Sequence, residues 1–260
     1  MKLKKTALIT GASGGLGAEF ARIHAFNGGD LVLIARNQAK LDELKVELEK
    51  QYGVSIYVIA KDLSEQSAPK EVFEELQAKK IRIDYLINNA GFGDFGLFAE
   101  CSWERQLEMI NLNVIALTYL TRLFLPGMVQ QKSGKILNVA STAAFQPGPT
   151  MSVYFASKAF VLSFSEAIAN ELQGTGITVT ALCPGATETG FKNAADLGKS
   201  NLFKGGGIAN ASDVAKFGYK AMMKGKRVVV HGFMNRLMAQ SVRFVPRNIV
   251  TAIARLKLRD

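Results

Sequence analysis

The stretch Thr6-Ala7-Leu8-Ile9-Thr10-Gly11-Ala12-Ser13-Gly14-Gly15-Leu16-Gly17 decides the fold. Residues 6–10 are short and apolar, as a buried strand requires, and they run straight into glycines. Gly11 permits a tight turn; Gly15 and Gly17 let backbone and helix approach a pyrophosphate closely. A helix is predicted to follow, with Phe20, Ile23, His24 and Phe26-Asn27 on its inner face. Its first N–H groups and the positive end of its dipole suit phosphate. Ser13, Gly14 and Leu16 belong to the same turn and are candidate ligand contacts with it. The spacing is G-x-x-x-G-x-G, not the commoner G-x-G-x-x-G. A glycine-rich turn with no ligand is the alternative.

Outward from this turn, residues 31–35 (Leu-Val-Leu-Ile-Ala) form a continuous apolar run, expected of a strand buried on both faces. It ends in Arg36-Asn37, with no acid before Asp42. An acid at this strand end would accept from the ribose 2′-OH of NAD, whereas an arginine suits the 2′-phosphate of NADP. Arg36 therefore favours NADP(H) over NAD(H), and Ser13 could also donate to that phosphate. A helix over 38–52 leads to a strand at 54–60 and then to Asp62-Leu63, the next candidate contacts. Asp62 could bond an adenine amino group or simply hold a turn. A helix over 65–80 and a strand over 83–87 follow. That strand closes in Asn88-Asn89-Ala90-Gly91, where small residues let a cofactor sit against the strand end and asparagines can tie strands together.

A long amphipathic helix is predicted over 103–131, containing Asn111 and Asn113. A strand over 135–140 then delivers Ser141. The next helix, after Met151 and reaching about Gly174, carries Tyr154 and Lys158 at i and i+4, on one face. A free phenol is a poor proton donor or acceptor at neutral pH, and a nearby ammonium favours its phenolate. Ser141 could hydrogen-bond a substrate carbonyl or hydroxyl beside the tyrosine. Together the groups suit moving a proton on or off a substrate oxygen. A strand over 177–182 ends in Cys183-Pro184-Gly185-Ala186-Thr187-Glu188-Thr189. The glycine-, lysine- and asparagine-rich 190–210 stretch reads as a substrate lid or binding loop, with a disordered segment as the alternative. A helix over 212–224 and a strand over 227–231 complete seven strands. The expected fold is α/β, a doubly wound seven-stranded parallel sheet with helices on both faces. It occupies 1–231 as one domain, followed by a helical extension over 232–260.

Composition narrows the function. The chain has 260 residues and a net charge of +10. Nine Lys/Arg and one acid from Lys224 onward give the C-terminal part +8, so the body is nearly neutral. Two histidines make a histidine-rich metal site or Ser-His-Asp hydrolysis improbable, and no metal is expected. Cys101 and Cys183 have neither metal-ligand spacing nor a disulfide-rich context, which fits a reducing cytoplasm. The N-terminus does not read as a secretory signal, since the glycine turn stands where its apolar region should be. No run is expected to approach the roughly eighteen apolar residues needed to span a bilayer. Nucleic acid is not an expected partner, because the basic residues accompany no recognition motif.

The ordered set Thr10-Gly11-Ala12-Ser13-Gly14-Gly15-Leu16-Gly17, Asp62, Asn88-Asn89-Ala90-Gly91, Asn113, Ser141, Tyr154-x-x-x-Lys158 and Pro184-Gly185-x-x-x-Thr189 resembles the short-chain dehydrogenase/reductase family in its compact one-domain branch. The resemblance covers roughly residues 5–190; its pieces are weak singly and specific together. It implies a Rossmann fold and an NADP(H)-dependent oxidoreductase interconverting carbonyl and hydroxyl. It implies that Tyr154 is the general acid/base and that Lys158 lowers its pKa while bonding the nicotinamide ribose. Ser141 would position the substrate oxygen, and Asn113 would hold a water linking Lys158 to solvent. Pro184, Gly185, Thr187 and Thr189 would lie against the nicotinamide. Homodimers or homotetramers are also implied. Where many members have glycine at 116, this chain has alanine.

Phe92, Gly93, Asp94, Phe95, Phe145, Met151 and Phe191 are expected to ring the substrate, which suggests a hydrophobic ketone or 3-oxoacyl compound. NADP is mostly reduced in cells, so reduction is the expected direction. Beyond His231, Phe233, Met234, Leu237, Met238, Val242 and Val245 follow helical spacing, and a second helix is predicted from Pro246. These basic amphipathic helices could cover the cleft, form a subunit interface or contact a membrane surface. A non-catalytic dinucleotide-binding sensor on the same fold is the rival to the enzyme. It would need the glycine turn but not the Tyr154 proton donor. An NAD-dependent alcohol oxidase is the other reading within the enzyme class.

Overall fold

A computed structural model of the chain describes residues 4–188 and 208–258, with the backbone alone for Lys257. Seven parallel strands, β1 (Thr6–Thr10), β2 (Asp30–Ala35), β3 (Ile56–Ala60), β4 (Tyr85–Asn88), β5 (Gly134–Val139), β6 (Ile177–Cys183) and β7 (Val228–Val230), lie in the order β3-β2-β1-β4-β5-β6-β7. The sheet is doubly wound, as expected. Successive residues of a strand face opposite sides, so Ala7 and Ile9 of β1 enter one apolar layer and Leu8 the other. The first layer is covered by α1 (Gly15–Phe26), α2 (Gln38–Tyr52) and α7 (Ala211–Met223). The second is covered by α3 (Ala68–Ala78), α5 (Leu117–Gln130) and α6 (Ser152–Glu171). Chain order reverses between β1 and β4, and the crevice at their carboxyl ends is where such sheets take ligands.

Several expectations need correcting. Phe26 is exposed on the outer side of α1, while Phe20, Ala21, His24 and Ala25 form its inner face. His24 is structural: its ring lies 2.9 Å from both the Tyr219 hydroxyl and the Lys5 carbonyl, and burial holds its pKa below the ordinary value. The long helix is not regular. α4 (Trp103–Ile110) passes through a π-helical segment, Asn111–Ala116, before α5 begins. A π turn shifts the helical register locally, which a periodic apolar pattern does not reveal. The 28-residue stretch Trp103–Gln130 has a window of mean hydropathy 1.4, enough to cross a membrane by length and composition. Its inner face, however, packs on the sheet through Leu120, Phe124 and Met128.

The C-terminal part forms two short helices, α8 (Phe233–Ser241) and α9 (Arg247–Leu258). Both turn a face inward: Ala239 packs with Val230 and Ala181, and Leu258 packs with Phe92, Met109 and Tyr154.

Candidate active site

At the end of β1 the chain turns through Gly11 (φ +66°) and Gly15 (φ +52°), left-handed conformations that disfavour other residues. A Cβ on Gly17 would lie 2.2 Å from the Gly11 carbonyl oxygen, so α1 sits directly on the turn. Asn89 holds the turn against β4: its Nδ2 donates to the Thr10 carbonyl at 2.9 Å and the Gly11 carbonyl at 3.3 Å. The Thr10 hydroxyl accepts from the backbone N–H of Asn89 and Ala90 at 3.0 and 2.9 Å. α1 opens at Gly14 without a side-chain cap, which leaves its first N–H groups facing a cleft that suits an anionic group. This arrangement fits a dinucleotide pyrophosphate.

The cleft measures about 640 Å³ and runs from this turn across the ends of β4, β5 and β6. Gly11, Ser13, Gly14, Gly15, Leu16, Asn89, Ala90 and Gly91 line its nucleotide half. Ser141, Tyr154, Lys158, Pro184, Gly185 and Thr187 line the rest. Gly91 must be small, since a Cβ there would stand 2.9 Å from Asn113 Oδ1 and 3.3 Å from Lys158 Nζ.

Ser141 follows β5 and caps a short 3-10 turn (Thr142–Phe145), accepting from the Ala143 N–H at 3.1 Å. Its side chain lies on the same cleft wall as Tyr154 and acts on the phenol. Tyr154 and Lys158 are both buried, one turn apart on α6. Burial pushes the Tyr154 phenol up to about 12, against a smaller downward pull from Ser141. Burial brings the Lys158 ammonium down to about 8. The expected pull of Lys158 on the phenol is outweighed, because Nζ lies 5.8 Å from the ring centroid and donates to the Val139 carbonyl at 2.9 Å. Asn113, inside the π segment, donates from Nδ2 to the Phe92 carbonyl at 2.9 Å and to Ser157 Oγ at 3.1 Å. Its Oδ1 accepts from the Phe92 N–H at 3.2 Å. The side chain of Asn113 is therefore engaged by protein and braces the loop after β4 against α6.

Other expected residues lie elsewhere. Leu63 is buried in the core with Val32 and Ile59, so its side chain does not reach the cleft. Gly17 is a packing position, outside the cleft lining. Arg36 and Asp62 stand beyond the cleft and are paired, with Arg36 Nη1 3.5 Å from Asp62 Oδ2. Asp62 also accepts from the Ser64 N–H and hydroxyl at 2.9 and 2.7 Å, the turn-holding role. Thr189, Phe191 and the 190–207 part of the expected lid fall outside the described residues.

Of the six described members of the expected substrate ring, four lie elsewhere. Phe145 and Met151 line the cleft, but Phe92, Gly93, Asp94 and Phe95 do not. Phe92 packs on Met109 and Leu258 beneath the Arg105 guanidinium, and Asp94 accepts from Gln106. Their places are taken by Phe155, by Asn235 and Met238 of α8, by Val242 just after it and by Ile253 of α9. Lys40, in the first turn of α2, also reaches the nucleotide half. Only its position after Arg36 hinted at this. Among the described residues no group of three His, Cys, Asp or Glu side chains is gathered that could hold a metal ion.

The family model for short chain dehydrogenase matches residues 5–199. The chain belongs to the short-chain dehydrogenase family. It is 34% identical over 184 residues to the very-long-chain 3-oxoacyl-CoA reductase of Anas platyrhynchos, a match covering 68% of this chain and 58% of that protein. It is 37% identical over 188 residues to the ketoacyl reductase HetN of Nostoc sp., covering 72% of this chain and 65% of that one. The chain thus spans less than two thirds of the length of these relatives. A solved short-chain dehydrogenase from Sphingobium yanoikuyae in complex with NADPH is similar over 92% of this chain and 94% of its own, with 33% identity and a TM-score of 0.83.

Proposed function

We propose that this short-chain dehydrogenase is an NADP(H)-dependent carbonyl reductase acting on a hydrophobic ketone or 3-oxoacyl substrate. The observation that carries the reading is that Ser141, Tyr154 and, one turn along, Lys158 line one end of a cleft that begins at the glycine turn. When bound, the reduced nicotinamide supplies a hydride. Tyr154, protonated at neutral pH, gives its proton to the substrate oxygen. Ser141 holds that oxygen in line, and the Lys158 ammonium stabilises the phenolate left behind. Asn113 keeps the Phe92 segment and α6 in register, and a proton from solvent is returned to Tyr154 by way of Lys158.

Arg36 supports NADP(H). It stands at the carboxyl end of β2, largely exposed, where an acid would instead serve NAD. The NADPH complex of the Sphingobium yanoikuyae relative lends support to the same choice. Phe145, Met151, Phe155, Met238, Val242 and Ile253 give the substrate half an apolar wall, which favours an acyl chain or a bulky ketone over a small polar one.

The test is binding and oxidation of NADPH and NADH in parallel against hydrophobic ketones and 3-oxoacyl thioesters. NADPH should bind more tightly and be oxidised. Tyr154→Phe should retain binding and lose about 10²- to 10⁴-fold in turnover, the usual contribution of a positioned proton donor. Failure to bind either nucleotide sinks the reading. Binding without turnover on any substrate favours the sensor.

A further inference from the structure

A helix that does no more than cover a protein body is apolar inside and polar outside. α8 and α9 do not follow that rule. On α8 the inner face carries Asn235, Ala239 and, just beyond its end, Val242, while Phe233 and Leu237 point outward and are exposed. On α9 Val250, Ala254 and Leu258 are buried, while Ile249 and Leu256 are exposed on the other side and Ile253 borders the cleft. Phe244, in the connection, is 86% exposed; Phe233 is 78% and Leu256 70% exposed. Arg236, Arg243, Arg247 and Arg255 flank these residues, and among the described residues none of the four is in an ion pair. Between Asp213 and Asp260 the sequence has no acidic residue.

We infer that the outer face of α8 and α9 is a docking surface for an anionic lipid bilayer. Exposed aromatic and aliphatic side chains flanked by arginines are what an interfacial helix offers: the apolar groups enter the headgroup boundary and the cations meet the phosphates. A second copy is a poor occupant, because a two-fold interface would set this acid-free, strongly basic surface against itself. The same helices wall the cleft, so a docked bilayer lies one helix diameter, about 10 Å, from it. The inference rests on this surface alone and stands whether or not any ketone is reduced.

The experiment is co-sedimentation of the full chain with vesicles of phosphatidylglycerol and phosphatidylcholine, and of phosphatidylcholine alone. Binding is expected to the anionic vesicles, to be weak on the neutral ones, and to fall as salt rises. Arg247→Gln with Arg255→Gln should weaken partitioning roughly thirtyfold, from the usual contribution of each basic side chain near an anionic surface. Phe233→Ser with Leu256→Ser should abolish it even at low salt. All four side chains are exposed and outside the cleft lining, so melting temperature should hold in both variants and report intact folding. Absence of anionic-vesicle binding, equal binding to neutral vesicles, or unchanged binding by the folded variants overturns the inference. A dimer that Phe233→Ser/Leu256→Ser turns into a monomer would give the face to a second copy and overturn it too.

Discussion

Replacing Lys158 with methionine tests the central electrostatic feature of the site through stability, apart from activity. Lys158 is buried, and its affinity for a proton falls from the ordinary 10.5 to about 8 on folding. That difference corresponds to about 3 kcal/mol of folding free energy. The group is a base with a depressed folded-state pKa, so between about 8 and 10.5 the unfolded chain binds more protons. Stability attributable to Lys158 therefore rises with pH across that window, and its cost is fully present below it. Methionine fills similar space without charge. The variant gives up the 2.9 Å bond to the Val139 carbonyl, a loss that does not vary with pH. Its stability relative to the parent should therefore fall by about 2–3 kcal/mol between pH 8 and pH 10, whatever the offset at neutral pH. Tyr154, pushed up to about 12, largely cancels in the comparison. The assay is urea unfolding of both proteins, without nucleotide, at several pH values over this range. A difference that stays flat with pH would show that Lys158 is not held as a depressed, buried ammonium, and the account of proton return would fail with it.

Three further outcomes are expected. Gly17→Ala places a methyl 2.2 Å from the Gly11 carbonyl, so the turn must open at a cost of about 1–3 kcal/mol and nucleotide binding should weaken. Gly14→Ala, whose Cβ meets nothing within 4 Å, is the control, and equal melting temperatures for the two variants would refute the packing argument. Arg36→Asp should shift the NADP(H)-to-NAD(H) affinity ratio toward NAD(H) by about 10- to 100-fold, the worth of one charge-assisted contact, strengthened by repulsion from Asp62. An unchanged ratio measured by nucleotide titration would mean the 2′-phosphate is read elsewhere, and Lys40 would be the next residue to replace. Asn113→Ala removes three buried hydrogen bonds at once and should lower stability by about 2–4 kcal/mol; a melting temperature within a degree or so of the parent would contradict its bracing role.

The sequence by itself determined the strand–turn–helix at residues 6–26, the alternation that makes a parallel sheet, and the order in which Ser141, Tyr154 and Lys158 reach its carboxyl edge. These are local matters: strand apolarity, glycines at positive φ, and the i, i+4 rise of a helix all act within a few residues. The tertiary structure alone decided what surrounds those groups. It made the phenol harder to ionise, because burial outweighs a lysine whose Nζ is turned to Val139. It broke the long helix into a π segment at Asn113, and it moved Phe92 and Asp94 out of the cleft into contacts with Arg105 and Gln106. It also brought α8 and α9 back across the chain to wall the substrate side. Helical periodicity shows that a segment has an apolar face but not which surface that face meets. For α8 and α9 there were two apolar faces, and only the packing distinguished the one that closes the cleft from the one left exposed.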